Sequence, residues 1–344
     1  MEGAGGNPET FLYGGLVNTV GIATTILELS PLKRFEHVLD FGCGSGRLAL
    51  WLRYLHEEIS LHGVDINDDA INWCKSHIDD VDFSLSAPKP PLGFDDASMD
   101  LVVAISVMTH LDETYQDEWL AEPRRITKPG GLVMLTVHGP DTARLALRDG
   151  RDEYAELMDK GFVYLRATDS ASVEGLPDFY QVAYHTKNYI EQSWLEGFRP
   201  MLFVPHGPYF RQDMVVMQRD DGDNARSESF REVYLPMACL DLPRVGSTEQ
   251  GTLLLAGWAF GFRGEGEELV ATLDGEVVAT FSTGTERPDV WEYFHRHDNA
   301  RFCGFTYELD ISFLEPGRHA LTIQCLHSPI PVIATFFKVL ARAP

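Results

Sequence analysis

Positive charge is scarce in this chain. Its 344 residues carry 28 Lys and Arg against 52 Asp and Glu, a formal charge of −24. Nucleic acid and anionic membranes both demand a positive surface, so neither is an expected partner. Cysteine is nearly as sparse. Cys43, Cys74, Cys239, Cys303 and Cys325 are scattered without metal-ligand spacing, which reads as reduced, buried thiols and leaves no metal centre to expect. No uninterrupted apolar run is long enough to span a bilayer, and Met1 to Gly6 lack a basic region followed by an apolar one. Neither a membrane span nor a signal peptide is expected, and the expected location is the cytoplasm.

Glycine, by contrast, is concentrated where it counts. Val38-Leu39-Asp40-Phe41 runs into Gly42-Cys43-Gly44-Ser45-Gly46 and then into the helix-forming Arg47 to Arg53. That is a buried strand, a tight loop and a helix start. A dinucleotide fingerprint would read G-x-G-x-x-G and take a pyrophosphate. Here the spacing is G-x-G-x-G with an acid, Asp40, at the strand end, which would repel pyrophosphate and suits an ammonium group. The next apolar run ends in a second acid, Asp65, placed to accept from both hydroxyls of a ribose. An amino-acid end and a ribose on one ligand describe S-adenosylmethionine. The passage resembles the class I S-adenosylmethionine-dependent methyltransferases, whose first motif and following acid align with Asp40 to Gly46 and with Asp65.

That resemblance implies an α/β fold over residues 1–218, a Rossmann-like seven-stranded sheet with helices on both faces. Strands are expected at 37–41, 61–65, 81–85, 100–105 and 132–137, and helices at 46–57, 68–77 and 114–126. Lys128-Pro129-Gly130-Gly131 before the fifth strand is typical of the family. Thr186 reads as an N-cap for a helix over 187–195, and strands near 198–204 and 211–217 complete the sheet. The implied cofactor contacts are Asp40, Gly42, Cys43, Gly44, Gly46, Asp65, Ile66, Ser86, Ala87, Ser106 and Tyr13. Many relatives place an acid or amide where this chain has Ser86 and Ala87. Tyr13 lies ahead of an apolar helix at 16–29 that in such enzymes often covers the cofactor. Residues 140–185 form an insertion with a helical stretch at 144–160 and an aromatic-rich stretch at 175–185, the expected substrate lid.

Residues 219–234 are polar and read as a linker. Beyond them the texture changes to short alternating runs, with Asp274-Gly275 marking a hairpin. A β-sandwich is expected over 235–344. Gly257-Trp258-Ala259, Arg287-Pro288-Asp289-Val290, Cys303-Gly304-Phe305 and Pro316-Gly317-Arg318-His319 resemble landmarks of accessory modules on bacterial glycosyltransferases and sugar-modifying enzymes.

Methyl transfer to a hydroxyl benefits from a base, and three histidines fall where the fold would put one: His138, His185 and His110. Each also reads as a structural histidine, and for His110 that reading leads. The combined expectation is O-methylation of a saccharide or glycan-related metabolite, without a metal and with homo-oligomerisation left open. N-methylation of a small amine or peptide, and a catalytically inactive scaffold, stand as alternatives.

Overall fold

The apolar run that ends in the glycine loop becomes β1 (His37–Phe41), buried at every position after the first. The computed structural model describes residues 8–55, 58–147, 152–165, 181–207, 212–220, 228–235, 237–244, 246–261, 266–295, 297–326 and 333–339. It falls into two units, Gly14–Tyr234 and Met1–Tyr13 with Leu235–Pro344.

α1 (Pro8–Leu27), which belongs to the larger unit from Gly14 onward, precedes β1. Then follow α2 (Ala49–Leu52), β2 (Ser60–Asp65), α3 (Asp68–His77), β3 (Asp82–Leu85), β4 (Met99–Ala104), α4 (Glu113–Ile126) and β5 (Thr127–Val137). α5 (Pro140–Ala146), α6 (Asp152–Lys160), β6 (Phe162–Leu165), β7 (Val182–His185), α7 (Lys187–Ser193), β8 (Phe198–Val204), β9 (Asp213–Arg219) and β10 (Arg231–Glu232) complete it. The sheet order is β10-β8-β9-β5-β4-β1-β2-β3, with β9 antiparallel to both its neighbours. β1 and β4 are parallel neighbours from which the strand order runs outward in opposite directions, so the crevice beyond their carboxyl ends is where such a sheet binds ligands. Leu39, Val102, Val133 and Val215 belong to one buried apolar cluster beneath it.

Side chains set the helix starts. Asn67 accepts from the Ala70 amide at 3.0 Å and Asp112 from Tyr115 at 2.9 Å. Thr186 caps α7 by accepting from Tyr189.

Several expectations change. The helix at 46–57 contracts to Ala49–Leu52, because Gly46 takes a φ of 76° and the end tightens into short bonds, Tyr54 N–H to Trp51 and Leu55 N–H to Leu52. The helical stretch at 144–160 is two helices, α5 and α6; residues 148–151 between them and 166–180 of the expected aromatic lid lie outside the described residues. β5 starts early, at Thr127, with Lys128 to Gly131 bulging out of register. The expected linker also contributes structure. Arg231 and Glu232 form β10, parallel to β8, so the sheet has eight strands rather than seven.

In the second unit, β11 (Met237–Leu242), β13 (Thr252–Phe260) and β16 (Gly304–Asp310) make one sheet. The other contains β12 (Thr248–Glu249), β14 (Glu268–Leu273), β15 (Glu276–Ser282), β17 (Gly317–Cys325) and β18 (Ile333–Val339). Leu253, Leu255 and Leu309 from the first meet Leu269, Leu321, Ile323 and Phe337 from the second in a single apolar cluster. Asp274 and Gly275, at φ 50° and 90°, turn β14 into β15. α8 (Pro288–Tyr293) connects β15 to β16. Among the described residues no helix is long and apolar enough to cross a membrane.

Candidate active site

The end of β1 and the loop after it build one side of the crevice. Gly42, Gly44 and Gly46 all have positive φ, which side-chain-bearing residues rarely tolerate. A Cβ on Gly42 would strike Val107 at 2.4 Å, whereas one on Gly44 would meet open space. Gly44 is thus the point where a ligand can lie against bare backbone. Its amide donates to Asp65 Oδ2 at 2.7 Å, and the Asn67 amide donates to Asp65 Oδ1 at 2.8 Å. Each carboxylate oxygen keeps a further lone pair for a ligand hydroxyl.

Asp40 is buried, and its Oδ2 has no hydrogen-bond partner. Burial first, and the nearby Asp65 carboxylate second, push its pKa up to about 7. A buried carboxyl oxygen left unpartnered is costly, and a cationic ligand would relieve it. Ser86, past β3, also has a buried, unpartnered Oγ, while its backbone N–H donates to the Asp65 carbonyl. The Cys43 thiol lies under Gly63, so this residue offers the crevice only its backbone. Burial pushes that thiol up from its ordinary range and the neighbouring Cys74 to about 12. Ala87 is exposed and Ile66 half-buried. Gly15 of α1 packs so closely that a Cβ there would overlap the Arg47 carbonyl, which brings α1 over the segment after the loop. Tyr13 is in α1, but its side chain lies outside the described residues.

The carboxyl ends of β4 and β5 build the other side. Ser106 is held at φ 61°, its N–H donating to Thr136 Oγ1 at 2.8 Å. Its hydroxyl accepts from Gln212 Nε2 at 2.6 Å. Ser106 therefore belongs to this wall, and its neighbour Val107 abuts the glycine loop. His138 directs Nδ1 at the Ala183 carbonyl, 3.3 Å away, and Nε2 at Gln212 Nε2, 3.5 Å away. A carbonyl can only accept, so Nδ1 carries the proton and Nε2 keeps its lone pair. His110 Nδ1 likewise donates to the Gln181 carbonyl at 2.6 Å, and the two rings stand edge to face with centroids 6.2 Å apart. Burial pushes both down to about 4, so both are neutral at ordinary pH.

His185 does not join them. It is fully buried among Phe162, Tyr189 and Trp194. Gln116 donates its amide to the Met108 and Leu111 carbonyls and accepts from His185 Nε2 at 3.0 Å. Burial drives its pKa down to about 3. A base must reach the proton it takes, and this ring is walled in by protein. The expectation of His185 as a base is corrected: it locks α4 and the exit of β4 to β7. Among the described residues no three His, Cys, Asp or Glu side chains gather to hold a metal ion.

Gln212 and Thr136 were not legible in the sequence, because a lone Gln before a strand and a Thr within one carry no pattern. Asp213, next to Gln212, accepts from the His206 amide at 3.0 Å, and His206 Nε2 lies 3.3 Å from Asp141 Oδ2. This fixes the turns after β5 and β8.

Residues 38–131 match the family described as a methyltransferase domain. Residues 38–131 of the larger unit are thus matched as a methyltransferase domain, of the class I S-adenosylmethionine-dependent kind that the sequence resembles. Malonyl-(acyl-carrier protein) O-methyltransferase of Hahella chejuensis is 31% identical over 124 residues, 36% of this chain and 43% of that protein. Fatty-acid O-methyltransferase of Mycolicibacterium smegmatis is 31% identical over 103 residues, 29% of this chain and 36% of its own. The chain thus spans less than half the length of these two relatives. The crystal structure of the PH0226 protein from Pyrococcus horikoshii OT3 overlaps 58% of this chain and 89% of its own, at 19% identity and a TM-score of 0.43. The crevice of this domain fits the cofactor: an unpartnered buried carboxyl for the ammonium, a carboxylate with spare lone pairs for the ribose, and open space at Gly44.

Proposed function

We propose that the chain is an O-methyltransferase whose acceptor is a small hydroxyl-bearing molecule, a saccharide or glycan-related metabolite, with His138 as the base. The observation that carries this reading is the tautomer of His138: the Ala183 carbonyl holds the proton on Nδ1, so Nε2 presents a lone pair on the wall it shares with Gln212 and Ser106. Bound in the crevice, S-adenosylmethionine supplies an electrophilic sulfonium methyl that leaves a neutral thioether behind. Asp40 would receive its ammonium and Asp65 its ribose, with Ser86 and the backbone at Ala87 beside the adenine. The acceptor hydroxyl gives its proton to His138 Nε2.

Both relatives are named O-methyltransferases, which supports oxygen as the accepting atom. The acceptor wall consists of two neutral imidazoles, a carboxamide and a hydroxyl, which suits a neutral acceptor better than a carboxylate. The resemblance of residues 235–344 to modules on sugar-modifying enzymes supports the saccharide. Burial holds the His138 imidazole down to about 4, so it stays in its base form at neutral pH but is a weak base; its contribution is ~10²-fold. Holding the reactants in line contributes far more, roughly 7–11 kcal/mol of the barrier.

The test is transfer of labelled methyl from the cofactor to panels of sugars, carboxylic acids and amines. Label on sugar oxygen, with turnover of His138→Ala down ~10²-fold and cofactor affinity unchanged, is the expected outcome. Label confined to amines would put N-methylation in its place, and full turnover in His138→Ala would remove the base.

A further inference from the structure

Gln212 is only 9% exposed, and its Oε1 is buried without a hydrogen-bond partner. Which end of the amide faces which neighbour follows from the network around it. The Ala183 carbonyl makes His138 Nε2 an acceptor, so Gln212 must turn its NH2 toward that nitrogen and toward the Ser106 hydroxyl. Its carbonyl oxygen is then the group left over. The residue next to it is anchored: Asp213 accepts from the His206 amide, and the backbone of Gly139 lies directly against the Asp213 carboxylate. Gln212 is therefore held in place while one of its polar atoms has nothing to bond.

Two acceptors thus stand side by side at the end of β5. His138 Nε2 receives only a long 3.5 Å approach from the amide nitrogen, and Gln212 Oε1 receives nothing. They are separated by a single carboxamide and that gap, a few ångströms. A buried acceptor is satisfied only by a donor, and two adjacent acceptors call for two adjacent donors. A carboxylate has none to give, and a lone alcohol has one.

We infer that Gln212 is the specificity-determining residue for the acceptor, its Oε1 receiving a hydrogen bond from the hydroxyl next to the one that His138 deprotonates, so that the acceptor is a vicinal diol. This rests on the reading of His138 as base and narrows it. A site built to bond a hydroxyl rejects the analogue lacking it far more strongly than an apolar pocket rejects a missing methylene, because the site's own polar group is left unpaired. The acceptor's second hydroxyl is accordingly recognised without being methylated.

The experiment compares kcat/KM of the full chain for methyl hexopyranosides with their monodeoxy analogues, and for catechol with phenol. The expected result is a preference for the diol of about 10²-fold or more. In Gln212→Met, which keeps the length and removes the acceptor, the preference falls to a few-fold, through KM more than kcat. Calorimetric binding of S-adenosylmethionine to that variant, unchanged from the parent, verifies that it is folded. Equal use of diol and deoxy acceptors by the unaltered protein overturns the inference without any variant and leaves O-methyl transfer standing. A Gln212→Met protein that binds cofactor and keeps the full preference overturns it as well. Methyl transfer to none of these oxygen acceptors overturns the hydroxyl-acceptor reading itself, and the inference with it.

Discussion

The crevice of the methyltransferase domain and the landmark residues of the C-terminal unit treat their polar groups in opposite ways. In the crevice Asp40, Ser86 and Gln212 each keep a buried polar atom without a partner. In the C-terminal unit the conspicuous residues are satisfied. Arg287 reaches Asp289 at 2.7 Å and Asp241 at 2.8 Å, and His319 reaches Asp274 at 2.7 Å. Trp258 and Phe305 are buried, Trp258 against Phe260 and Phe294. Residues with all their bonds made explain themselves by folding alone. Buried groups with bonds missing cost stability, which a site holds in reserve for its ligand. On this contrast we place the proposed ligand chemistry in the crevice and read the C-terminal landmarks as a framework.

Acid should separate the two units most sharply. His110 and His138 titrate near 4 and His185 near 3, against an ordinary 6.5. Below pH 6.5 the unfolded chain binds protons that these folded rings refuse, so the methyltransferase domain loses stability as pH falls toward 4. His110 alone accounts for about 3 kcal/mol. Asp40 offsets part of this, because its folded form takes a proton near pH 7 that the unfolded chain refuses until about 4. In the other unit His319 is raised, by its bond to Asp274 first and to the Glu315 carbonyl second. Its contribution is fully present below 6.5 and fades as pH rises through the folded value. Calorimetric scans at pH 7.5 and 5 should show one transition falling steeply and the other holding; a parallel fall would erase the contrast.

Asp65→Ala comes next in size. It removes the acceptor of two backbone amides and of the ribose, and cofactor affinity should drop roughly 100-fold or more by titration calorimetry. Asp40→Asn sharpens the comparison from the other side. It removes a buried charge that costs about 2–4 kcal/mol above pH 7, so the melting temperature should rise at pH 8 while cofactor binding weakens. The gain should shrink as pH falls from 7 toward 4, where the parent Asp40 is already neutral in the folded state. A melting temperature that drops at pH 8 would mean the carboxylate is structural. Arg287→Met should do least. Its carboxylate partners are largely exposed, so the C-terminal unit should lose only about 1 kcal/mol, with cofactor affinity unchanged.

How much of this could be read from the sequence depends on whether a feature repeats. Strands β1, β2 and β4 announce themselves as apolar runs, and the positions of Asp40, Gly44 and Asp65 at strand ends and in the glycine loop suffice to propose them as cofactor contacts. The sequence overstates the helix after the loop, because helix-forming residues from Arg47 onward conceal the backbone turn imposed at Gly46. His185 read as a base because it borders a helix near the crevice; nothing local reveals that Gln116, Phe162 and Trp194 close around it. Gln212 and Thr136 were invisible for the same reason. Their meaning comes from Ser106 and His138, which are distant in sequence and meet them only when β4, β5 and β9 align.

The short strand β10 carries a practical consequence. By composition the methyltransferase domain would be cut near residue 218, yet Arg231 and Glu232 pair with Leu202 and Phe203. A protein ending after Arg219 would bare the outer rim of β8, with Leu202, Phe203 and Val204 beside a row of unanswered amides and carbonyls. Such rims recruit other chains. The shortened domain should self-associate and precipitate on purification, whereas one carried through Tyr234 should stay in solution.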